Sequence, residues 1–343
     1  MRRERKQEMK TQIFSPDEIE KAALIIKRGG LVAMPTETVY GLAADALNPE
    51  AVAAIFKAKG RPMDNPLIVH ISELEQIYGL VSEFPEKARI LAEKFWPGPL
   101  TVILPKSEVI PDEVSAGLTT VAVRFPSNPI ARRLISLSCP LAAPSANLSG
   151  SPSPTNARHV YDDMKNRIDA IIDGGECDVG VESTVITLAE DPPRLLRPGG
   201  VTPEQLREAI GEVIIDDAVL NPLKADRAAP SPGMKYKHYS PRADVVLLRG
   251  DINRFTDYVN SHYDKDTAAL CYDEDIKELR CEHISIGRAH DYDTQAHRLF
   301  TALRTADERG YKKVYAHCPG TSGVELAIYN RIIRAAGFEV IEL

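Results

Sequence analysis

The chain has 343 residues, of which 43% are hydrophobic and 27% are charged, and its formal net charge is −7. This length predicts about two globular domains, and the acidic balance is not typical of a protein that holds nucleic acid on a basic face. No apolar run approaches the ~18 residues that span a membrane, and no apolar stretch follows the charged N-terminus, so we expect a cytoplasmic protein without a secretory signal.

Cysteine and histidine spacing gives no sign of disulfides or of a metal site. The five cysteines are far apart and form no CxxC pair, so we expect reduced thiols. The eight histidines form no HExxH or similar ligand spacing. The sequence therefore predicts no metal site made from protein groups alone.

Helices and strands alternate over the first two thirds of the chain. Ser15 is expected to cap a first helix that ends near Gly29, and Asn48 opens a second helix that runs to about Lys57. Further helices are predicted from about Pro85, from Pro129 and from SPSPT (151–155). Because several of the predicted strands adjoin without a helix between them, the pattern predicts a twisted, mixed α/β sheet. Strands are expected at 31–34, 67–71, 101–105 and 121–126, and LAAPSAN (141–147) is expected to be a strand and turn. Further strands are expected within AIIDGG (170–175), STVITL (183–188) and RLLRPGG (194–200), and PTETVYGLAAD (35–45) is expected to be a loop.

The last third of the chain has a different pattern. Residues from about 218 to 241 are rich in Pro, Lys and Tyr and show no periodicity, which is typical of a linker. Beyond them, DVVLLRG, AALCY, HISIG, KVYAHCPG and FEVIEL are strand-like runs among helical segments at 292–308 and 324–336. This predicts a smaller, parallel, Rossmann-like domain. We therefore place one domain at 14–216, a linker at 217–243 and a second domain at 244–343.

The common phosphate-binding signatures are absent from the sequence, which contains no GxxxxGK[ST], GxGxxG or GxSxG segment. Polar groups follow a predicted strand in PTETVYG (35–41), at a position that favours ligands in α/β sheets. A plain turn filled by β-branched residues is the alternative there. Lys59 and Arg61 flank Gly60 and could hold one anion, or they could be a solvated helix end. His70 ends an apolar strand, where a histidine is usually a core residue.

Small hydroxyl and amide side chains cluster in APSANLSGSPSPTNA (143–157) ahead of a predicted helix. Such groups can hold phosphate together with backbone N–H groups, or they can simply cap the helix. Thr120 and Arg124 are four apart on one strand and share a face. An inward arginine there needs an anionic partner, which a substrate or an acidic side chain could supply. ESTV (182–185) and Arg197 complete the set of candidates.

Together these segments resemble the YrdC-related family. The segments PTETVYGL, KGRP, NPL, FWPGPLT, VAVR, APSAN, ESTV and LRPG occur in the order found in that family. The segment SPGMKYKHYSP (231–241), followed by a further domain, resembles the longer members, the two-domain threonylcarbamoyl-AMP synthases. Motif matches are dense up to Pro241 and thin beyond it. The resemblance implies a YrdC-like catalytic domain, a linker that folds over the site as a lid, and a Rossmann-like C-terminal domain.

The resemblance also implies residue roles. Its catalytic set corresponds to Lys59, Arg61, Ser145 and Asn147. Its L-threonine site corresponds to Thr38, His70, Arg124, Ala143 and Ser183. Its ATP site corresponds to Arg61, Asn65, Thr120, Ser145, Ser153, Arg197 and Tyr236.

The implied reaction joins L-threonine, bicarbonate and ATP into threonylcarbamoyl-AMP and pyrophosphate, for the threonylcarbamoyladenosine modification of tRNA. Mg²⁺ is expected with ATP, held by the phosphates and water rather than by a protein cage. Downstream threonylcarbamoyl-transferase proteins acting on tRNA are the implied partners, and direct tRNA binding is compatible with this role without being required. No general base is assigned, although His70 is the candidate with a suitable ordinary pKa. The alternative is a non-catalytic module that binds double-stranded RNA or tRNA.

Overall fold

The structure is a computed structural model that describes residues 10–223, 231 and 238–343. Within these residues the chain forms one sheet of eleven strands and one of five. None of the described helices is long and apolar enough to cross a bilayer. The large sheet runs in the order β1-β8-β2-β3-β7-β4-β6-β5-β9-β10-β11. Its strands are β1 Gln12–Phe14, β2 Val32–Met34, β3 Gly41–Asp45, β4 Ile68–His70, β5 Leu100–Pro105, β6 Thr120–Arg124, β7 Leu141–Ala142, β8 Ala170–Ile172, β9 Thr184–Thr187, β10 Arg194–Arg197 and β11 Ile214–Ile215.

The large sheet mixes parallel and antiparallel pairs. For example, β4 pairs with β6 in parallel, whereas β5 pairs with β6 in antiparallel. The helices that cover the sheet are α1 Ile19–Lys27, α2 Pro49–Lys59, α3 Ile77–Leu80, α4 Glu86–Phe95, α5 Asp112–Ser115, α6 Pro129–Leu137, α7 Ala157–Met164 and α8 Pro203–Ile210. Buried aliphatic residues of the strands form the main core together with α2–α5, α7 and α8, and a separate apolar cluster with α1 and α6.

The second sheet is wholly parallel, and its strand order is β14-β13-β15-β12-β16. Parallel strands need covering on both faces, which helices supply here. Buried residues of the strands and of two of the helices form a second core. The elements are β12 Asp244–Arg249, α9 Ile252–His262, β13 Thr267–Cys271, β14 Glu282–Ser285, α10 Tyr292–Glu308, β15 Lys313–His317, α11 Glu325–Ala335 and β16 Val340–Glu342.

The two units are packed tightly together. Val39 and Val181, from two loops of the first unit, belong to the same apolar cluster as Phe300 and Ile328 of the second. At Gly180, which has φ +80°, an added Cβ would lie 2.4 Å from the Cα of His297. Glycine is therefore required where these two backbones meet.

The structure confirms the predicted fold class, a mixed α/β sheet followed by a smaller parallel one. Two local predictions were wrong. The loop predicted at 35–45 ends at Gly41, because β3 pairs with β2 from there. The helix predicted from SPSPT begins only at Ala157, with Asn156 as its cap. The strand and turn predicted at LAAPSAN (141–147) are present, with the strand limited to Leu141–Ala142. The prediction also misses β1 and α8. The domain bounds at 216 and 243 remain predictions.

Helix α2 has strong start and stop signals, and these signals position two site candidates. The side chain of Asn48 accepts hydrogen bonds from the backbone N–H groups of Glu50 and Ala51. At the other end Gly60 has φ +62°, a left-handed conformation that ends the helix. Lys59 is thereby the last helical residue, and Arg61 leaves in a new direction.

Replacing Asn48 with alanine should lower the free energy of unfolding by about 1 kcal/mol, because two N–H groups lose their acceptor. Asn48→Asp is the matched control and should change it little, since aspartate caps as well as asparagine. Urea denaturation of the three proteins tests this. Equal stability of the alanine variant and the wild type would contradict the capping role.

Candidate active site

The candidate residues gather where several strands of the large sheet end. The register places His70 of β4 beside Arg124 of β6, and Arg124 opposite Thr101 of β5. An isolated bridge between Gly41 and Ser145 brings the loop after β7 to the same place. Strand pairing therefore brings together residues that are up to about a hundred positions apart in sequence.

These strand ends surround a buried cavity of about 60 Å³. All five residues that the resemblance assigns to L-threonine line it, and so do three of those assigned to ATP or catalysis. The lining candidates are Thr38, Arg61, His70, Arg124, Ala143, Ser145, Ser183 and Arg197. Lys59, Asn65, Thr120, Asn147 and Ser153 are not among the lining residues, and Tyr236 lies outside the described residues.

Arg124 is a buried cation that is already paired. Its Nη2 lies 2.8 Å from Oε1 of Glu37, and both side chains are about 5% exposed. A buried guanidinium without a counter-charge would be strongly destabilising. Because a guanidinium carries five N–H donors, Arg124 can keep Glu37 and also bind a carboxylate in the cavity. Glu37 belongs to the polar segment PTETVYG (35–41), but the sequence gave it no specific role in the site.

His70 is neutral at physiological pH. Burial, and then the charge of Arg124, lowers its pKa to about 3. Nδ1 lies 3.1 Å from the carbonyl oxygen of Ile68, so that nitrogen carries the hydrogen and donates it. A pKa this low makes His70 a weak base at pH 7. The structure thus argues against His70 as the general base and suits it to lining the pocket.

Ser183 is fixed from two sides. Its hydroxyl lies 2.8 Å from the hydroxyl of Thr101 and accepts a hydrogen bond of 3.1 Å from Nη2 of Arg197. Arg197 also donates from Nε to the carbonyl oxygen of Ser183, at 2.9 Å. All three side chains are at least nine-tenths buried. The serine is therefore held rigidly at the cavity by groups of the large sheet.

Lys59 holds the loop that contains Ser145. Its ammonium donates to the carbonyl oxygens of Ser145 and Asn147, the latter at 2.6 Å. Burial, and then the charge of Arg61, lowers the pKa of Lys59 well below its usual value. Asn147 donates to the carbonyl oxygens of Leu148 and Ser151. Both residues shape the loop, and the predicted phosphate contact of Lys59 remains a prediction.

Arg61 and Asn65 form a turn beside the cavity. Arg61 donates from Nη2 to the carbonyl oxygens of Asn65 and Pro66, each at 3.1 Å. Among the described residues, neither side-chain amide atom of Asn65 has a hydrogen-bond partner, although the residue is fully buried. Buried polar atoms are normally paired, so this amide is suited to a ligand. Thr120 lies at the far end of β6 from Arg124.

Glu182 connects the pocket to the second unit of the protein. One carboxylate oxygen accepts a hydrogen bond from the hydroxyl of Ser153, and the other lies 2.9 Å from Nε of Arg331 on α11. Burial would raise the pKa of Glu182, but Arg331 and Arg197 together keep it below the ordinary value. Sequence patterns alone gave no sign of Arg331, because it lies in a predicted helical segment (324–336) that carries no recognisable motif.

His238 and Tyr239, at the end of the predicted linker, close one side of the cavity. Tyr239 has φ +63°, a conformation rare for a bulky side chain. Its ring lies 5.3 Å from that of Phe300 and 5.6 Å from the guanidinium carbon of Arg331. These contacts hold Tyr239 in its strained conformation. The resemblance assigned Tyr236 rather than these two neighbours.

The fold and the pocket define a two-domain α/β protein whose cavity, lined by several arginines, suits anionic substrates. The family profile described as "Telomere recombination" (Sua5_yciO_yrdC) matches residues 24–199. The profile described as "Threonylcarbamoyl-AMP synthase, C-terminal domain" matches residues 201–337. The two profiles together match most of the chain.

Full-length relatives agree. The chain is 46% identical to threonylcarbamoyl-AMP synthase of Pyrococcus abyssi, over 99% of this chain and 98% of the relative. It is 44% identical to the Bacillus subtilis protein of the same name, over 94% of each chain. The crystal structure of P. abyssi Sua5 complexed with L-threonine superposes with a TM-score of 0.87 at 45% identity, covering 97% of this chain and all of that one. The chain belongs to the threonylcarbamoyl-AMP synthase family and is an enzyme of the nucleotidyltransferase type.

The buried His70 should make the protein sensitive to acid. The unfolded chain binds a proton at this residue below a pH of ~6.5, whereas the folded protein does so only near pH 3. The free energy of unfolding should therefore fall as the pH drops from 6.5, by up to about 1.4 kcal/mol per pH unit for this group. His70→Asn should reduce that slope, as urea denaturation between pH 6.5 and 4 would show. Burial also lowers the pKa values of His159 and His238, but both residues are present in the wild type and in the variant, so their contribution cancels in the comparison. The same pH dependence of the free energy of unfolding in both proteins would contradict a neutral His70.

Proposed function

We propose that this enzyme is an L-threonylcarbamoyladenylate synthase, which condenses L-threonine, bicarbonate and ATP to threonylcarbamoyl-AMP and pyrophosphate. The observation that carries the proposal is the convergence of the expected threonine residues and three expected nucleotide residues on one buried cavity. The P. abyssi relative with bound L-threonine supports the same assignment. The product would serve the threonylcarbamoyladenosine modification of tRNA in the cytoplasm, through threonylcarbamoyl-transferase proteins that act on tRNA.

The chemistry needs charge and positioning rather than a protein nucleophile. The amine of threonine and bicarbonate combine to N-carboxy-threonine with loss of water. The new carboxylate attacks the α-phosphorus of ATP, and the bond to pyrophosphate breaks. Such transfers depend mainly on orientation and on neutralising phosphate charge. The nucleophile is supplied by the substrate, so this mechanism requires no serine or cysteine triad.

The groups at and beside the cavity would divide the tasks of this reaction among them. Arg124 would bind the threonine carboxylate as a fork, and the rigid Ser183 and the backbone at Ala143 would orient the amino acid. Thr38 and the neutral His70 would line the pocket around its side chain or amine. Arg61 would face phosphate charge, together with Ser145, Arg197 and the unpaired amide of Asn65. Lys59 would hold the loop of Ser145 in place for that contact.

Mg²⁺ is proposed to enter with ATP. Among the described residues no group of three or more His, Cys, Asp or Glu side chains could hold a metal ion. The carboxylates beside the cavity, Glu37 and Glu182, are committed to Arg124 and Arg331. Mg²⁺ commonly keeps its waters and binds substrate phosphates. The triphosphate would therefore hold the ion, which neutralises charge as pyrophosphate leaves.

Pyrophosphate release by the purified protein tests the proposal directly. With ATP and Mg²⁺ present, release should require both L-threonine and bicarbonate, and omission of either should reduce it to background. Removal of Mg²⁺ with EDTA should stop it as well. Release that ignores threonine, or no release, would contradict the proposal, and salt-sensitive RNA binding without ATP turnover would then favour an RNA-binding module.

Arg61→Ala should lower kcat/KM by roughly 10- to 150-fold, because one charge-assisted phosphate contact of ~1.5–3 kcal/mol is lost. Arg158→Ala is the matched control, since that arginine lies on the exposed face of α7 with its side chain 85% exposed. Steady-state pyrophosphate release and circular dichroism would be measured on both. Wild-type kinetics in a folded Arg61→Ala protein would remove Arg61 from the site.

A further inference from the structure

Arg331 lies on α11 of the C-terminal domain, but its guanidinium is bonded to the catalytic domain. The residue is 0% exposed. Nε donates to a carboxylate oxygen of Glu182 at 2.9 Å, Nη2 donates to its backbone carbonyl oxygen at 3.1 Å, and Nη1 donates to the carbonyl oxygen of Pro198 at 2.6 Å. One side chain from the C-terminal domain thus holds the carboxylate of Glu182, its backbone carbonyl group and the loop after β10.

Glu182 passes this constraint on to Ser153. One carboxylate oxygen is fixed by Arg331, and the other accepts the hydroxyl hydrogen of Ser153, which is 1% exposed. Ser153 is the serine that the family resemblance assigns to ATP. A short chain of buried hydrogen bonds therefore connects α11, through Glu182 at the cavity, to a serine that is expected to contact ATP.

We propose that Arg331 is a positioning residue for nucleotide binding, which orients Ser153 through Glu182 so that the C-terminal domain completes the active site. This inference rests on the proposed function, because it requires ATP to bind at this cavity. It assigns to the C-terminal domain a task that a separate catalytic domain could not perform with these residues.

The residues expected to bind threonine depend less on the hydrogen bonds from Arg331 to Glu182 than Ser153 does. The hydroxyl of Ser183 is held by Thr101 and Arg197, which both belong to the large sheet. Arg124 is paired with Glu37, which also belongs to that part of the chain. Loss of Arg331 should therefore weaken ATP binding more than threonine binding.

Loss of Arg331 should also make ATP binding depend on pH. The charged or titratable groups that interact electrostatically with Glu182 are Arg331 on α11, Arg197 on β10, Tyr239 in the linker and Lys59 on α2. Without Arg331, burial dominates and the pKa of Glu182 rises. A protonated Glu182 is a weaker acceptor for the Ser153 hydroxyl, so ATP binding should worsen as the pH is lowered.

The test uses the full-length enzyme and measures KM for ATP and for L-threonine by pyrophosphate release from pH 6 to 9. Arg331→Met should raise KM for ATP by about ten-fold or more, and KM for threonine by less than about three-fold. The KM for ATP should rise further toward acid pH. Arg331→Lys, which restores the charge, should recover part of the ATP affinity.

Two further variants separate positioning from simple loosening of the domain interface. Asp163→Asn removes another interdomain ion pair, which is partly buried and in which Oδ2 of Asp163 lies 2.7 Å from Nη2 of Arg304, and it should leave both KM values near wild type. In the double variant Arg331→Met/Glu182→Gln nothing titrates at position 182. Its KM for ATP should therefore lose the pH dependence of Arg331→Met.

An unchanged KM for ATP in folded Arg331→Met would overturn the proposal, as would an equal effect of Asp163→Asn or a pH dependence that persists in the double variant. If Arg331→Met does not fold, KM for ATP is measured in Arg331→Lys and Glu182→Gln instead. A wild-type KM for ATP in both variants would contradict the positioning role of Arg331. A wild-type enzyme that releases no pyrophosphate with threonine and bicarbonate would instead contradict the proposed function itself.

Discussion

Buried positive charge is the constraint on which this structure depends. Arg124, Arg197 and Arg331 are each at least nine-tenths buried around one region of the molecule. A buried guanidinium without a counter-charge is strongly destabilising. Glu37 and Glu182 provide the counter-charges, and backbone carbonyl groups accept much of the remainder. The two glutamates are therefore as much a requirement of the site as the arginines that face the substrates.

This arrangement explains why the two domains form one functional unit. The apolar contact between them includes Val39 and Val181, which lie in the loops that carry Thr38 and Ser183. The ion pair between Glu182 and Arg331 crosses the same contact. Because removing one partner of a buried pair is costly, separation of the domains would expose apolar surface and leave a buried carboxylate unpaired. Substrate positioning and domain association thus depend on the same residues.

The sequence predicted much of the fold, because strand and helix patterns are local. Asn48 and Gly60 mark the two ends of α2, and the short apolar runs at β4 and β6 are typical of buried strands. Prediction failed at 41–45, where pairing with β2 and not local pattern makes the strand. The positions of Glu37, Tyr239 and Arg331 could not be read from the sequence either. Each acts through a partner distant in the chain, and no spacing rule records that Arg331 meets Glu182, 149 positions away.

A crystal structure of the protein with L-threonine, Mg²⁺ and a non-hydrolysable ATP analogue would test the central claim most directly. The account predicts that the threonine carboxylate lies within hydrogen-bond distance of Arg124 and close to Ser183. It also predicts that the triphosphate lies beside Arg61 and Ser145, with Ser153 still bonded to Glu182. A nucleotide bound at the C-terminal sheet, or a threonine carboxylate away from Arg124, would contradict it.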